Sequence, residues 1–506
     1  MSGHSSPARM PLFLLATLML IAQPLLAPAA EKAPRPRLTV PKLAKAPTID
    51  GTMADGEWDR SAAVTGFMGA TGSFGKVIVP KNARIYLGQD DENIYVAVWT
   101  QLAPGEKPTM RYRRRDDKVY MDRQQFEIWL TPPTRGHVTA YQMIGNAYGA
   151  MYDIKLVPAL GVNQPGWNPE WQFKNAYKTG EWWTAEFAIA KAEMIDEDGY
   201  DPDLPWGGMV AVAWPQRSWP FTFGWYKNIE THALMTMGDD DTCVRLMNLN
   251  GLLENKLAAE MTLVNGGKED GQFTVTAKAG EVTAEQTVTV PAGGRKEVSF
   301  SKDLPATDKK VNVMELNVVG PGKEVLLDGQ WMYRPMDLAE RKPEPVEAKP
   351  WSMDTRLAFA PLAMGAHAWA DVLDAPMRDE IAKAVFIVKS GDGETILTEE
   401  DKSFEYDAAE VYLWMPKDLP FGEYTVEMAF VDDGGKELAS ASKTFKHKNY
   451  KKQFVWLDSD KYGEDIQVAP PFKPLKTDKA DKTVNVWGRR YTFNGALPEQ
   501  IVSHDR

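Results

Sequence analysis

The sequence predicts an all-β protein: a jelly-roll-type β-sandwich followed by two immunoglobulin-like β-sandwiches. Three observations support this class. Short apolar and polar alternations with the period of a strand recur along the chain, as in residues 94–99. Polar turn segments such as 89–93 separate these runs, and a helical turn is expected only at 190–195. Many short strands without helical periodicity are typical of sandwiches.

The first sandwich is predicted over residues 47–252. Arg84–Leu87 and Ile94–Trp99 flank a polar turn, which indicates an antiparallel hairpin. Further alternating runs predict strands at Phe126–Leu130, His137–Ile144, Trp183–Ile189 and Val210–Trp214.

Two smaller β-units follow, at 256–335 and 351–447, each with the strand spacing of an immunoglobulin-like sandwich. The segments 30–46 and 336–350 are rich in Pro and charged residues and are predicted to be linkers. The tail, 448–506, is irregular and could begin a catalytic region that is missing here. It holds one strand-like run, Thr483–Trp487, which we expect to lack a partner within the tail.

Charge excludes some partners. The chain has 506 residues and a net charge of −12, which argues against nucleic acid and anionic membranes because both require clustered Lys and Arg. The single basic run, Arg111–Arg115, is followed by Asp116 and Asp117, so a solvated face is expected there.

The first 29 residues have the pattern of a signal peptide. Arg9 precedes an apolar stretch, Pro11–Leu26, and Ala27-Pro28-Ala29 has the spacing of a cleavage site. This predicts export to a bacterial periplasm or exterior, without a permanent membrane span. Cys243 is the one cysteine, so no internal disulfide forms, and it is expected to be a small buried hydrophobe.

Tryptophan is concentrated in one stretch. Eight of the 17 tryptophans lie between residues 167 and 225. Trp183 and Trp214 share the phase of apolar strand neighbours, which predicts core positions. The other candidates lie beside polar residues and either stack on a flat ligand such as a sugar or pack in the core: Trp167, Trp171, Trp219 and Trp225.

Catalytic and metal motifs are weak. Three carboxylate pairs are available for glycoside cleavage but lie in no recognisable motif: Asp116/Asp117, Asp122/Glu127 and Glu170/Glu186. Structural calcium is a better candidate, with Asp196, Asp198 and Asp203 in one loop, although a solvated acidic loop explains the same pattern.

Five short motifs occur in order: Ile49-Asp50-Gly51 with Glu57-Trp58, Asp91–Val96, Asp122 with Phe126–Ile128, Gly180–Glu186, and Trp214–Arg217. Together they resemble carbohydrate-binding module family 9 and its relatives over about residues 47–252. The resemblance implies a β-sandwich that holds a sugar between two tryptophans, with polar side chains on the hydroxyls and, in some members, structural calcium.

Arg217 matches the last motif of the family, and Trp225 matches the aromatic residue after it. Asp122 matches the acidic residue that opens the middle strand, and Trp219 is a plausible second ring.

The tail has a second resemblance. Pro470–Leu475 and Val486–Tyr491 are similar to the segment that precedes the catalytic half of large exported proteins related to glycoside hydrolase family 123. This implies a separate or downstream glycoside hydrolase domain as partner.

We therefore expect an exported protein that binds mono-, oligo- or polysaccharide and forms the non-catalytic part of a polysaccharide-degrading system. Two alternatives stay open. The chain itself could be a glycoside hydrolase. It could also bind haem b, as relatives of this sandwich do through Met with Lys or His, and Met143 and Met151 would then be candidate ligands.

Overall fold

A computed structural model provides the coordinates of the chain. It describes residues 35–69, 77–122, 124–195, 199–214, 217–220, 229–306, 311–337, 345–347, 350–450 and 474–503, with the backbone alone at 214 and 217–220. The chain divides into two compact units, residues 1–348 and 349–506.

The first unit consists of strands joined by turns and short 3-10 helices. Its strands are β1 (Arg37–Val40), β2 (Ala62–Thr65), β3 (Ala83–Gln89), β4 (Asn93–Gln101), β5 (Gln125–Thr131), β6 (Ala140–Asn146), β7 (Met151–Val157), β8 (Val162–Gln164), β9 (Trp171–Lys178), β10 (Trp182–Ala190), β11 (Trp206–Trp214), β12 (Arg217–Pro220), β13 (Ala233–Met237), β14 (Cys243–Asn248), β15 (Lys256–Val264), β16 (Gly271–Ala279), β17 (Val282–Val290), β18 (Arg295–Asp303), β19 (Asn312–Val319) and β20 (Val325–Tyr333). The 3-10 helices are Val119–Met121, Pro158–Leu160, Lys191–Glu193, Ile229–Thr231 and Asn250–Glu254.

Two large sheets form this unit and enclose a common core. One has the order β17-β16-β19-β20-β1-β13-β11-β5-β6-β7-β8, with β12 beside β11. The other has the order β18-β15-β14-β2-β3-β4-β10-β9. Strands from both predicted sandwiches of this unit, 47–252 and 256–335, take part in both sheets, and one hydrophobic cluster extends through them.

Strand β1 was not anticipated. Arg37–Val40 lies within the predicted linker 30–46, yet it runs parallel to β13 and antiparallel to β20. The linker prediction is therefore wrong for these four residues. A four-residue run beside prolines is too short to show a clear apolar and polar alternation. The strands that pair with it lie about 200 and 290 positions further along the chain.

The second unit contains a separate sandwich and a small terminal sheet. The sandwich strands are β21 (Thr355–Ala360), β22 (Gly365–Asp371), β23 (Lys383–Lys389), β24 (Thr395–Asp401), β25 (Ala408–Trp414), β26 (Gly422–Val431) and β27 (Glu437–His447), with 3-10 helices Arg378–Glu380 and Glu405–Asp407. They form a three-stranded sheet, β21-β22-β25, and a four-stranded sheet, β24-β23-β26-β27, around their own core.

The tail is more regular than the sequence suggested. Four strands make an antiparallel meander: β28 (Lys476–Asp478), β29 (Thr483–Val486), β30 (Arg489–Asn494) and β31 (Leu497–Ser503). The predicted run Thr483–Trp487 corresponds to β29 and does have partners, β28 and β30. Four of the six residues of Arg489–Asn494 are polar, so the apolar alternation of this strand is weak.

Several expectations are confirmed. The protein is all-β, the helical turn near residue 190 is the 3-10 helix Lys191–Glu193, and Trp183 is fully buried. Cys243 is also fully buried, and this burial raises the pKa of its thiol to about 12. In the described residues we find no helix with the length and apolar character needed to cross a membrane.

Two of the motifs that carry the family resemblance, the first and the fourth, meet at Glu186, which is fully buried in β10. Its carboxylate accepts hydrogen bonds from the backbone amide of Gly51 at 2.7 Å and from the indole nitrogen of Trp58 at 2.8 Å. Gly51 has a φ of +91°, and a Cβ there would meet the backbone of Asn175 at 2.7 Å. Only glycine suits this turn. The turn connects residues 50–58 to β10 through the hydrogen bonds to Glu186.

Candidate functional site

The residue pair expected to bind sugar lies largely outside the described residues. Trp225 is not described. Arg217 and Trp219 are described by backbone alone, in β12, where Arg217 pairs with Trp214 and Trp219 with Val212. The hairpin formed by β11 and β12 therefore places Arg217 at the end of β11. The same end of the sheet carries the start of β5, because Ala213 pairs with Gln125.

Asp122 lies close to that end but is turned inward. It is buried, and its carboxylate accepts hydrogen bonds from the Arg111 amide at 2.8 Å and from Asn146 Nδ2 at 2.7 Å. Burial raises the pKa of Asp122, although these hydrogen bonds oppose the shift. The structure thus places Asp122 where it anchors the loop before β5.

The other two predicted tryptophans lie on one segment, residues 167–171. Trp167 is half-buried and packs against the ring of Tyr141, with the centroids 4.6 Å apart. Trp171 is 7% exposed and stacks on Phe187 with an interplanar angle of 7°. Trp171 is therefore a core residue over most of its surface, and only an edge of its indole can reach a ligand.

A groove opens beside Trp171, which we name the arginine groove. It has a volume of about 590 Å³. Its lining is mainly polar: Asn93, Arg115, Asn168, Pro169, Glu170, Trp171, Gln172, Ala188 and Ala190. Guanidinium, carboxylate and amide groups converge here, so both hydrogen-bond donors and acceptors face one concave surface.

Arg115 is held in this groove by groups from two other segments. Its Nη2 donates to Asp153 Oδ2 at 2.7 Å, and its Nε donates to Asn168 Oδ1 at 2.9 Å. Asp153 itself is fully buried and also accepts a hydrogen bond of 3.0 Å from the indole nitrogen of Trp171. The guanidinium is thus pre-positioned, which lowers the entropy that a ligand must offset on binding.

Burial is the main influence on Asp153. It raises the pKa of the carboxyl, whereas the hydrogen bond from Trp171 and the charge of Arg115 lower it. The carboxylate and the guanidinium form an ion pair whose acidic member is buried and whose basic member is 39% exposed. The pair itself carries no net charge, so Arg115 offers hydrogen-bond donors to the groove without adding an unbalanced cation.

A second concavity lies beside Trp167, and we name it the tyrosine pocket. It has a volume of about 280 Å³, and its polar and aromatic lining includes His137, Tyr141, Lys155, Gln164 and Tyr200. The Lys155 ammonium lies 5.7 Å from the centroid of the Tyr141 ring, within the range of a cation–π contact. Trp167 thus touches this pocket only through the ring of Tyr141, whereas Trp171 lines the arginine groove directly.

The predicted calcium loop is only partly described. Asp196 and Asp198 are not described, and Asp203 is exposed. The neighbouring Asp201 carboxylate is engaged by Arg135 and by the Asp203 amide. Over the described ranges, no group of three or more Asp, Glu, His or Cys side chains is arranged to hold a metal ion. Calcium binding stays a prediction.

The residues considered for the alternatives have structural contacts. Glu186 is bound by Gly51 and Trp58, and Glu127 accepts hydrogen bonds from Trp129 and Gln142. Of the two methionines considered as haem ligands, Met143 is fully buried in the core and Met151 packs against it.

Sequence reasoning missed Arg115, which it assigned to a solvated basic run. No local signal identifies it, because its partner Asp153 lies 38 residues further along the chain. Asn168 and Glu170 carried a weak signal as polar residues between two tryptophans.

Comparisons with known proteins gave structural neighbours only. No protein-family model matches the sequence, and a search of curated proteins returned no significant match. A carbohydrate-binding module of family 9 from Caldicellulosiruptor kristjanssonii, solved with cellotriose, is similar at 13% identity and a TM-score of 0.28, over 40% of this chain and 96% of that one. The same module with glucose is similar at 14% identity and a TM-score of 0.28, over 42% and 99%. A two-domain fibronectin type-III segment of chicken tenascin is similar at 12% identity and a TM-score of 0.16, over 40% and 98%.

Proposed function

We propose that this chain is an exported carbohydrate-binding protein that forms the non-catalytic part of a polysaccharide-degrading system. The arginine groove carries the proposal. A sugar presents many hydroxyls, each both donor and acceptor, on a largely uncharged body. The groove offers matching groups of both kinds, with Arg115 as donor, Glu170 as acceptor, and Asn168 and Gln172 as both.

The charge balance supports a neutral ligand. Arg115 is paired with Asp153, and the chain as a whole carries −12. A phosphate-rich ligand would need several cations that are not already paired with carboxylates. The five ordered motifs add the resemblance to carbohydrate-binding family 9, and residues 1–29 supply the signal pattern that supports export.

Isothermal titration calorimetry of the full chain, after selection of ligands on a glycan array, tests the binding function. We expect millimolar to micromolar affinity for at least one neutral glycan, and about tenfold or greater weakening in Glu170→Ala and Gln172→Ala. Lys174→Ala is the matched control, because it is exposed on the same strand as Gln172 but does not line the groove.

Two further variants separate the location of the site from its function. Arg217→Ala and Trp225→Ala change the residues that the family resemblance indicates. If they abolish binding while Glu170→Ala does not, the sugar binds near β12 and the groove assignment is wrong. If no glycan binds the wild-type protein, carbohydrate binding is wrong altogether.

Export is tested by cell fractionation and N-terminal mass spectrometry. We expect a mature chain that starts near Ala30 in the periplasmic or extracellular fraction. An intact N-terminus in the cytoplasmic fraction would contradict export.

A further inference from the structure

The outer face of the sheet β21-β22-β25 carries an aromatic surface that the function proposed for the first unit does not use. Its outward residues form three rows across the strands, set by the register: Arg356–Trp369–Glu410, Ala358–His367–Tyr412 and Ala360–Gly365–Trp414. We name this the aromatic face.

Two rings of the aromatic face are open to solvent. Trp414 is 66% exposed and Tyr412 is 61% exposed, although both belong to a regular strand with buried neighbours. Large aromatic rings exposed side by side on a strand are unusual in a monomeric protein and mark binding sites. The inward residues of the same strand, Val411 and Leu413, already supply its contribution to the core.

Neighbouring side chains hold the rings in place. The six-membered ring of Trp414 lies over Gly365, where a Cβ would meet ring atoms at 3.0 and 3.1 Å. Tyr412 stacks on His367 with the centroids 4.7 Å apart and an interplanar angle of 22°. His367 in turn shares a hydrogen bond of 2.6 Å with Glu410. The rings are thus ordered before any ligand arrives.

A third ring continues the surface along the strands. Trp369 lies in the next row, with the Arg356 guanidinium 4.1 Å from its centroid. Rows two residues apart are separated by about 7 Å along a strand, so the rings span about 14 Å. The remaining outward positions of β21 are the small residues Ala358 and Ala360, which leave this part of the face flat.

The size of the face indicates what binds it. Three strands about 4.8 Å apart and about 20 Å long present roughly 300 Å², whereas a stable protein interface buries about 800 Å² on each partner. The charges, Arg356 on one side and Glu410 on the other, cancel, so the face has no excess cation for a nucleic-acid backbone.

We propose that the aromatic face is a second carbohydrate-binding surface. It takes an extended chain of neutral sugars by stacking on Trp414 and Tyr412, and the Arg356 guanidinium over Trp369 contacts the end of the chain. The apolar faces of the sugar rings cover the aromatic rings. Arg356 and Glu410, on the two outer strands, and His367, at the centre of the face, receive hydroxyls. The proposal concerns the second unit and stands whether or not the arginine groove binds sugar.

Affinity electrophoresis of the full chain in gels that contain xylan, mixed-linkage β-glucan or galactomannan tests this proposal. We expect at least one polysaccharide to retard the wild-type protein, and the Tyr412→Ala/Trp414→Ala double variant to bind it about tenfold or more weakly. The control is Phe421→Ala, which removes a ring of similar exposure, 61%, outside the aromatic face and should leave retardation unchanged.

A groove variant, Glu170→Ala/Gln172→Ala, distinguishes the two carbohydrate sites in the same gels. Retardation that persists in the groove variant and disappears in the aromatic-face variant supports the present proposal. Retardation that is unchanged in the aromatic-face variant overturns it, as does a wild-type protein that no polysaccharide retards. The proposal is also overturned if Tyr412 and Trp414 are required for binding of single-stranded DNA or for self-association, because the face would then have a different occupant.

Because exposed residues contribute little to folding, both variants should retain wild-type circular dichroism and melting temperature. Gly365→Ala is a second probe, since its Cβ displaces the Trp414 ring without removing any aromatic group. It should weaken binding too.

Discussion

The indole nitrogen of Trp58 donates a hydrogen bond of 2.8 Å to the carboxylate of Glu186, 128 residues away in the sequence. The Glu186 carboxylate also accepts hydrogen bonds from the backbone amides of Asp50 and Gly51. Four of the motif residues that resemble family 9 therefore share one hydrogen-bonded cluster. Their common feature is a structural role, and none of these residues lines the arginine groove.

This contact predicts the effect of Trp58→Phe. The substitution keeps most of the ring but leaves a buried carboxylate oxygen of Glu186 without its indole donor, so the free energy of unfolding should fall by about 1–3 kcal/mol. Urea unfolding of the first unit, followed by tryptophan fluorescence, measures the change. Trp182→Phe, at a half-buried position on the same strand as Glu186, is the control and should have a clearly smaller effect. Equal losses in both variants would contradict the role of the hydrogen bond.

Asp122 predicts a pH dependence. Because burial raises the pKa of Asp122, the folded state retains this proton to higher pH than the unfolded chain, whose pKa is about 3.9. The folded state therefore binds more protons in this window, and the contribution of Asp122 to the free energy of unfolding falls as pH rises from about 4 toward neutrality.

The test compares wild type with Asp122→Asn across this range by urea unfolding. The difference in unfolding free energy, wild type minus variant, should decrease with increasing pH. Glu281→Gln removes one charge from an exposed turn of the same unit and should give a flat difference. A difference that increases with pH would mean that the hydrogen bonds from Arg111 and Asn146 outweigh burial.

Packing against Gly145 predicts a steric effect. A Cβ at this position would lie 2.3 Å from the ring of Phe173, which is buried in the core. Gly145→Ala should therefore destabilise the first unit by about 1–3 kcal/mol through displacement of the ring. Gly166→Ala has open space around its Cβ and no positive φ, so its thermal midpoint should stay within about a degree of wild type. If Gly145→Ala leaves the free energy of unfolding unchanged, the Phe173 ring can move aside without destabilising the unit, and the prediction is wrong.

The hydrogen bonds of Asn265 predict that a negative charge at this position destabilises the fold. Its buried amide donates to the carbonyls of Glu269 at 2.9 Å and Val290 at 3.0 Å. Asn265→Asp sets a carboxylate oxygen against these carbonyls, so the free energy of unfolding near neutral pH should fall by about 3 kcal/mol or more. The loss should diminish at low pH, where the new carboxyl is protonated. Asn163→Asp makes the same chemical change at an exposed position and should have little effect.

The alternation of apolar and polar residues along a strand decides which residues of the candidate sites could be assigned from the sequence. Trp183 shows the alternation of a core residue in its own neighbourhood, and the structure buries it. For Trp171 the local neighbours are polar, yet the ring is buried because β9 pairs with β10 and places it on Phe187. The arginine groove depends on contacts between residues 115, 153 and 168, which no short window of sequence contains.

The sequence by itself determined the class of the protein, because the two-residue period of a half-buried strand is a local property that each run displays alone. It also determined the acidic charge, the signal pattern and the core positions of Trp183 and Cys243. Only the tertiary structure decided that Arg37–Val40 joins the centre of a sheet, that Glu186 binds Trp58, and that Trp369, Tyr412 and Trp414 share one face. The physical reason is register: hydrogen bonding between distant strands sets which side chains become neighbours, and a single strand carries no information on its partner.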